Sequence, residues 1–174
     1  QFVKVFVIPG FAHGMKKSDH PCKGKITRRS LAISEESFVI SMVGTIGSRK
    51  RQTWGVLALN VLLQQGFDAI LLLVGSSSNR DRIFLESLAV NRSTIRLLQP
   101  SSCRQSIYQI SDLHLSAAAS EVFPLNVIEA MKNGLPVVAV DVGGVSEQYS
   151  QPDHQWLLVD GSTHDQFVST VLTA

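Results

Sequence analysis

The chain has 174 residues, is 44% hydrophobic and 17% charged, and carries a formal net charge of +2. This length fits one globular domain, which buries roughly 70% of its unfolded surface, and leaves no room for a second full domain. The composition excludes a disordered chain. No apolar run approaches the roughly 20 residues needed to span a membrane.

The charge and the cysteines exclude further classes of protein. Cys22 and Cys103 lie far apart and match neither a disulfide framework nor a metal motif, so we expect a reducing, cytoplasmic location. The weak positive charge does not argue for nucleic acid, and we expect no such partner. Basic residues cluster between Lys16 and Arg29, a pattern typical of a solvated connecting segment.

From Phe38 onward, strand patterns alternate with helix patterns. Residues 37–44, 68–75, 93–99, 112–118, 136–142 and 154–160 are the predicted strands. Residues 53–66, 80–90, 102–111, 124–134, 144–149 and 163–172 are the predicted helices, the first with Thr53 as N-cap. Near-continuous apolar strands between helices predict an α/β fold, a Rossmann-like open parallel sheet with helices on both faces.

The first part of the chain does not fit this alternation of strand and helix patterns. Residues 2–10 form one strand pattern and a long polar stretch follows, which places a boundary between about Ser30 and Ser37. The chain begins with Gln1 rather than Met, so we expect it to be a piece of a longer protein.

Ligands of open parallel sheets bind at the carboxyl ends of the strands, where the strand order reverses. The loops that follow Val43, Val74, Leu98, Ala118 and Val140 are therefore the candidate site. A glycine-rich loop, VGTIGSRK, and a loop that contains Glu121 are among them.

Two carboxylates stand eight positions apart in one of these regions, Glu121 before a short helix and Glu129 within it. Pro124 restricts the start of that helix to Pro124 or Leu125, and the free N–H groups there form a site for phosphate. An acid on each side of the phosphate can accept hydrogen bonds from two polyols. The alternative is structural: Glu121 complements the helix dipole and Glu129 is an exposed helix residue.

The residues around the two acids form a recognisable pattern. The stretch EVFPLNVIEAMKNGLPVVA, followed by VGGVSE, resembles the glutamate-x7-glutamate signature of the retaining GT-B glycosyltransferases of family 4. The matching positions are Glu121, Phe123, Leu125, Glu129, Ala130, Met131, Gly134, Pro136, Val137, Val138, Ala139, Gly143, Gly144 and Glu147. The resemblance covers residues 38–159.

The resemblance implies a role for each matching residue of the acid motif. Glu129 would accept hydrogen bonds from the ribose hydroxyls of a nucleotide, and Glu121 would lie at the donor sugar. Backbone groups of Phe123, Pro124 and Leu125 would face the sugar and the diphosphate.

The resemblance also implies roles in the glycine-rich loop. Gly44 corresponds to the loop glycine, and Lys50 to a basic residue whose charge stabilises the departing nucleoside diphosphate. Lys50 as a solvated loop residue is the alternative. Thr45 stands where many members carry arginine, and Arg49 or Arg51 would supply that charge. Val122 and Pro124 also depart from the pattern, since glycine is frequent at both positions.

For the whole protein, the resemblance implies sugar transfer with retention of configuration. The donor would be a UDP- or GDP-linked sugar acting as substrate, with no cofactor, and no cluster of oxygen ligands implies a metal. Residues 37–174 would form the donor-binding domain. Residues 1–36 would be the last strand and connecting segment of an N-terminal acceptor-binding domain that this chain lacks, so the fragment alone would be inactive. Peripheral membrane association of the full-length protein stays open.

Other functions compete with this interpretation. A dinucleotide-dependent oxidoreductase shares the sheet, but GTIGSRK does not supply its glycine fingerprint. A catalytically inactive module that binds a nucleotide or nucleotide sugar needs much the same residues and stays open. A serine hydrolase would need a Gly-x-Ser-x-Gly elbow, which this sequence does not contain. His114 is predicted to be a hydrogen-bonded core residue, and residues Pro100–Cys103 are predicted to select the base.

Overall fold

The computed structural model describes residues 25–100, 104–148, 157–160 and 163–174. Six strands appear in these ranges: β1 (Phe38–Val43), β2 (Ala69–Val74), β3 (Ile95–Leu98), β4 (Leu113–Ser116), β5 (Val137–Val140) and β6 (Leu157–Val159). All neighbouring strands pair in parallel, in the order β3-β2-β1-β4-β5-β6. The predicted open parallel sheet is confirmed.

In the described part of the chain, six α-helices connect and follow the strands. They are α1 (Gln52–Gln64), α2 (Asn79–Leu88), α3 (Arg104–Ile110), α4 (Leu125–Lys132), α5 (Val145–Gln148) and α6 (His164–Thr173). The prediction of Thr53 as the first N-cap is wrong. Arg51 precedes α1 and adopts a left-handed conformation with φ 50° at the end of a 3-10 turn, Ser48–Lys50, so the helix begins before Thr53.

The helices cover both faces of the sheet, as β1 shows most clearly. Ile40 and Met42 point to one face, where they join a core built with residues of α1, α2 and α6. Val39 and Val43 point to the other face and join residues of α3, α4 and α5. Because both faces are covered, the central strands are mostly apolar, and two buried polar exceptions, Ser41 on β1 and His114 on β4, contact each other.

The strand order reverses between β1 and β4. The chain moves outward from β1 through β2 to β3, returns to β4 on the other side of β1, and continues to β5 and β6. The loops after β1 and β4 therefore leave the sheet side by side at its carboxyl edge. This edge is where an open parallel sheet of this order binds ligands.

The segment before β1 is attached to the sheet by Arg28. Its guanidinium donates to the carboxylate of Asp112 at 2.8 Å and to the carbonyl of Ser37 at 2.8 Å. The same Asp112 oxygen accepts the backbone N–H of Val39 at 2.7 Å. The domain boundary at residues 36 and 37 stays a prediction, and the predicted strand at residues 2–10 lies outside the described residues.

Within the described ranges, every helix is too short or too polar to cross a membrane.

Candidate functional site

The glycine loop, residues 44–51, leaves the end of β1 in a conformation fixed by a buried side chain. Gln52 is 4% exposed, donates from Nε2 to the carbonyl of Thr45 at 3.1 Å and accepts the N–H of Gly47 at 3.1 Å. A Cβ on Gly75 would lie 1.9 Å from the carbonyl oxygen of Gly44, so the two backbones approach as only glycine allows. The sequence pattern gave no sign of the role of Gln52.

The far end of the glycine loop carries two cations that meet one acid. Lys50 Nζ and Arg49 Nη1 both contact Glu121 Oε1, the arginine at 2.9 Å. The side chains of Lys50 and Glu121 are 16% and 13% exposed, whereas that of Arg49 is 55% exposed. The structure thus brings together three predicted site residues, and Lys50 is not a freely solvated loop lysine.

The acid loop, residues 117–124, is held in place by the two glycines that follow β5. The N–H of Gly144 donates to the carbonyl of Val122 at 2.8 Å. A Cβ on Gly143, whose φ is +59°, would lie 1.8 Å from the carbonyl oxygen of Glu121. A Cβ on Gly144 would lie 2.8 Å from the ring of Phe123. The two glycines allow the close contact that positions Glu121.

The start of α4 faces the glycine loop. Pro124 precedes the first turn with φ −72°, and its carbonyl accepts the N–H of Val127 at 3.3 Å. Within the described residues, the N–H groups of Leu125 and Asn126 have no hydrogen-bond acceptor. Unpaired N–H groups at the positive end of a helix dipole attract an anion.

A shallow cleft open to solvent lies between this helix start and Lys50, with an enclosed space of about 10 Å³, enough for about one water molecule. Its lining residues are Met42, Val43, Lys50, Gln52, Leu115, Ser116, Ala117, Ala118 and Asn126. One mostly shielded cation and the start of a helix therefore border the same space. This arrangement suits a phosphorylated ligand.

Side chains of α3 hold Glu129 in place, and they are not part of the cluster around Glu121. The hydroxyl of Tyr108 donates to Oε2 at 2.9 Å, and Arg104 Nη2 lies 3.1 Å from Oε1. The Glu129 side chain is only 11% exposed, so it is not the exposed helix residue of the structural alternative. Burial raises the pKa of Tyr108, and the adjacent Glu129 raises it further, so the hydroxyl stays protonated and donates.

His114 lies in β4 directly below the cleft and is fully buried. Its Nδ1 is 3.2 Å from the hydroxyl of Ser41, and its Nε2 is 3.2 Å from Nδ2 of Asn126. The prediction of a hydrogen-bonded core histidine is confirmed. Burial lowers the pKa of His114 to about 3, with a further contribution from the positive charge of Lys50, so the ring is neutral at pH 7.

The predicted site residues thus fall into two groups. The glycine loop, with Gly44, Thr45, Arg49 and Lys50, contacts Glu121 through Arg49 and Lys50. Lys50 also lines the cleft that Asn126, at the start of α4, lines. Glu129 instead packs against α3, and its partners Tyr108 and Arg104 carry no sequence signal, because a short amphipathic helix explains both residues equally well. Of the predicted base-selecting loop, residues 101–103 lie outside the described residues.

Comparison with known proteins defines the class of this domain. The sequence profile of the family described as "Glycosyl transferases group 1" matches residues 24–174. The chain belongs to this glycosyltransferase family, and its sheet is the Rossmann-like half of a GT-B fold.

A curated relative gives a more particular likeness. The chain is 32% identical over 145 residues to a D-inositol 3-phosphate glycosyltransferase of Corynebacterium urealyticum, a match that covers 77% of this chain and 34% of that protein. The chain therefore spans about a third of the length of this relative.

Solved structures share the fold. A glycosyltransferase from Rickettsia africae aligns with a TM-score of 0.74 at 22% identity, over 84% of this chain and 39% of that one. Anabaena HepE in complex with UDP and glucose aligns with a TM-score of 0.69 at 21% identity, over 84% of this chain and 40% of that one.

Proposed function

We propose that this chain is the donor-binding half of a retaining GT-B glycosyltransferase of family 4, and that its substrate is a UDP- or GDP-linked sugar. The observation that carries the proposal is the meeting of Lys50 with Glu121 beside the start of α4, at the point where the strand order reverses. Lys50 shares a cleft with the helix start and contacts the acid beside it, and this combination matches the parts of a nucleoside diphosphate sugar.

The diphosphate takes the position between Lys50 and the N–H groups of Leu125 and Asn126. Breakage of the bond between the sugar and the diphosphate leaves negative charge on the phosphate oxygens. A fixed cation and oriented N–H groups stabilise that charge most in the transition state, and this is the way in which such a site accelerates transfer. Lys50 is well suited to the role because its contact with Glu121 already fixes its position.

The two carboxylates bind the two polyols of the donor, which are the transferred sugar and the ribose. Glu121 accepts from hydroxyls of the transferred sugar, and Glu129 accepts from the ribose. Each carboxylate is oriented before the ligand arrives, Glu121 by Lys50 and Arg49, and Glu129 by Tyr108. Preorganised acceptors reduce the entropy lost on binding.

The acceptor is bound by an N-terminal domain outside this chain, and transfer occurs in the cleft between the two domains. The fragment alone therefore binds the donor without transferring the sugar. HepE was crystallised with UDP and glucose, which makes uridine ligands the first to test here.

Calorimetric titration with UDP, GDP, ADP and their common sugar conjugates tests the proposal. We expect saturable binding of one nucleotide family, weakened by Lys50→Ala and by Glu129→Ala. Glu86→Ala on α2, outside the cleft, is the matched control and leaves binding unchanged. Failure to bind any of these ligands at millimolar concentration contradicts the proposal for this chain. Binding with no sugar transfer by the full-length protein would favour a catalytically inactive module.

A further inference from the structure

A chain of buried hydrogen bonds runs from the middle of the sheet to the cleft. Ser41 on β1 contacts His114 on β4, and His114 contacts Asn126 on the first turn of α4. Nδ2 of Asn126 also lies 3.1 Å from the carbonyl oxygen of Val43, at the end of β1. The Asn126 side chain is therefore tied to the two strands where the strand order reverses.

The chemistry of these groups determines which way the Asn126 amide faces. The carbonyl of Val43 only accepts, so the amide nitrogen rather than the amide oxygen must face it. The same nitrogen carries a second hydrogen, which goes to Nε2 of His114 at 3.2 Å. His114 is then protonated on Nδ1 and donates to the hydroxyl of Ser41, which donates in turn to the carbonyl of Leu113 at 3.4 Å.

This orientation leaves one group of Asn126 available. Both amide hydrogens are used below the cleft, and within the described part of the chain no donor reaches Oδ1. Asn126 lines the cleft together with Lys50. The side chain therefore presents a fixed, uncharged acceptor to a ligand.

We propose that Asn126 is a specificity-determining residue of the donor site, whose Oδ1 accepts a hydrogen bond from a sugar hydroxyl, and that His114 positions it. The inference rests on the proposed function. An amide oxygen attracts hydroxyl groups and repels phosphate oxygens, which also only accept. The backbone N–H of Asn126 and the charge of Lys50 thus bind the anion. The Asn126 side chain accepts a hydrogen bond from a hydroxyl next to that anion.

The hydroxyl that Asn126 binds belongs either to the ribose or to the transferred sugar. Three kinds of ligand distinguish these two possibilities. Pyrophosphate has no hydroxyl, UDP has only the ribose, and UDP-glucose has both; GDP and GDP-mannose form the parallel set. For Asn126→Ala we expect unchanged pyrophosphate affinity and a loss of about three- to tenfold for the ligand that carries the hydroxyl, as for one hydrogen bond. A loss already present with UDP or GDP assigns the ribose, and a loss confined to the nucleotide sugar assigns the transferred sugar.

The positioning role of His114 is tested by a double-mutant cycle. His114→Phe keeps a ring but removes the acceptor that orients Asn126, so it should weaken the same ligand without altering pyrophosphate binding. The double variant should bind no more weakly than Asn126→Ala alone, since both changes remove one interaction. Asn60→Ala is the matched control: it removes hydrogen bonds of 2.8 and 2.9 Å to Leu88 and Val90, away from the cleft, and should leave all affinities unchanged.

Two results overturn the inference alone. One is a nucleotide sugar that binds to the wild-type chain and equally well to Asn126→Ala. The other is an NMR spectrum of the unliganded chain that shows His114 protonated on Nε2, because Asn126 would then face the other way; this measurement needs no variant to fold. A wild-type chain that binds none of the nucleotides contradicts the proposed function and this inference with it.

Discussion

Lys50 and Glu121 are separated by 71 positions in the sequence and form an ion pair at the carboxyl edge of the sheet. Both side chains are largely shielded from solvent, so the pair has a defined geometry that few surface ion pairs have. Under the proposed function, an entering diphosphate would share the charge of Lys50, while Arg49 would continue to hold Glu121. The pair therefore keeps the site ordered before the donor binds.

The unequal shielding of the two cations predicts unequal effects on binding. Lys50→Met should weaken UDP binding by at least about tenfold, because the shielded charge lies next to the proposed phosphate site. Arg49→Met should weaken binding only about two- to threefold, because its side chain is 55% exposed and its charge is screened by water. Calorimetric titration of both variants at one salt concentration compares them. A larger effect of Arg49 would contradict the assignment of Lys50 to the diphosphate.

Tyr108→Phe should weaken binding of UDP by roughly three- to tenfold, because it removes the hydroxyl that orients Glu129, the proposed ribose acceptor. Pyrophosphate serves as the control ligand, since it has no ribose and its affinity should not change. Equal losses for the two ligands would mean that Tyr108 supports the fold of the site as a whole rather than the position of Glu129.

Gly143→Ala should damage both stability and binding. The new Cβ would lie 1.8 Å from the carbonyl oxygen of Glu121 and would require a φ of +59°, so the acid loop must move. We expect a loss of about 2 to 4 kcal/mol in the free energy of unfolding, together with a loss of UDP-glucose affinity.

Gly134→Ala is the matched control for this change. Gly134 has a φ of +77°, but its Cβ would meet no atom within 4 Å. It should lower the free energy of unfolding by only about 1 kcal/mol and leave binding unchanged. Urea unfolding and titration of both variants compare them, and equal effects would show that strain alone, without the contact to Glu121, explains Gly143.

His114 should make the fold less stable in mild acid. Its pKa is about 3 in the folded chain against an ordinary value of 6.5, so between these values the unfolded chain binds a proton that the folded chain does not. The free energy of unfolding therefore falls as the pH falls through this window, by about 2 kcal/mol from pH 7 to pH 5 for this group.

Urea unfolding of the wild-type chain and of His114→Phe at pH 7, 6 and 5 measures this contribution, because the difference between the two isolates His114. His164→Ala changes a half-exposed histidine and is the matched control. Parallel stability curves for the wild-type chain and His114→Phe would mean that folding leaves the pKa of His114 unchanged, contrary to the buried, neutral ring that contacts Asn126.

The sequence predicted the elements well because each leaves a local pattern. The continuous apolar run at residues 69–74 is typical of a strand covered on both faces, and it is buried along its length. Pro124 and Gly134 predicted the limits of α4 to within two residues. The placement of the loops after β1 and β4 at one edge also followed from the sequence, since parallel strands present their carboxyl ends to one edge. That these two loops are neighbours depends on the strand order, which the sequence did not predict.

The sequence alone does not identify the partners of the site residues, because tertiary packing determines which side chains meet. Tyr108 reaches Glu129 only because α3 and α4 lie side by side on one face of the sheet. Asn126 contacts His114 only because α4 starts above β4. Nothing in the periodicity of these segments separates such polar contacts from ordinary half-buried positions.

A crystal structure of the chain with UDP-glucose would show where each part of the donor binds. We expect the diphosphate between Lys50 and the first turn of α4, the ribose hydroxyls at Glu129 and the glucose on the side of Glu121. A nucleotide bound elsewhere on the sheet, or one placed in the cleft with its ribose toward Glu121 and its sugar toward Glu129, would contradict this placement of the donor.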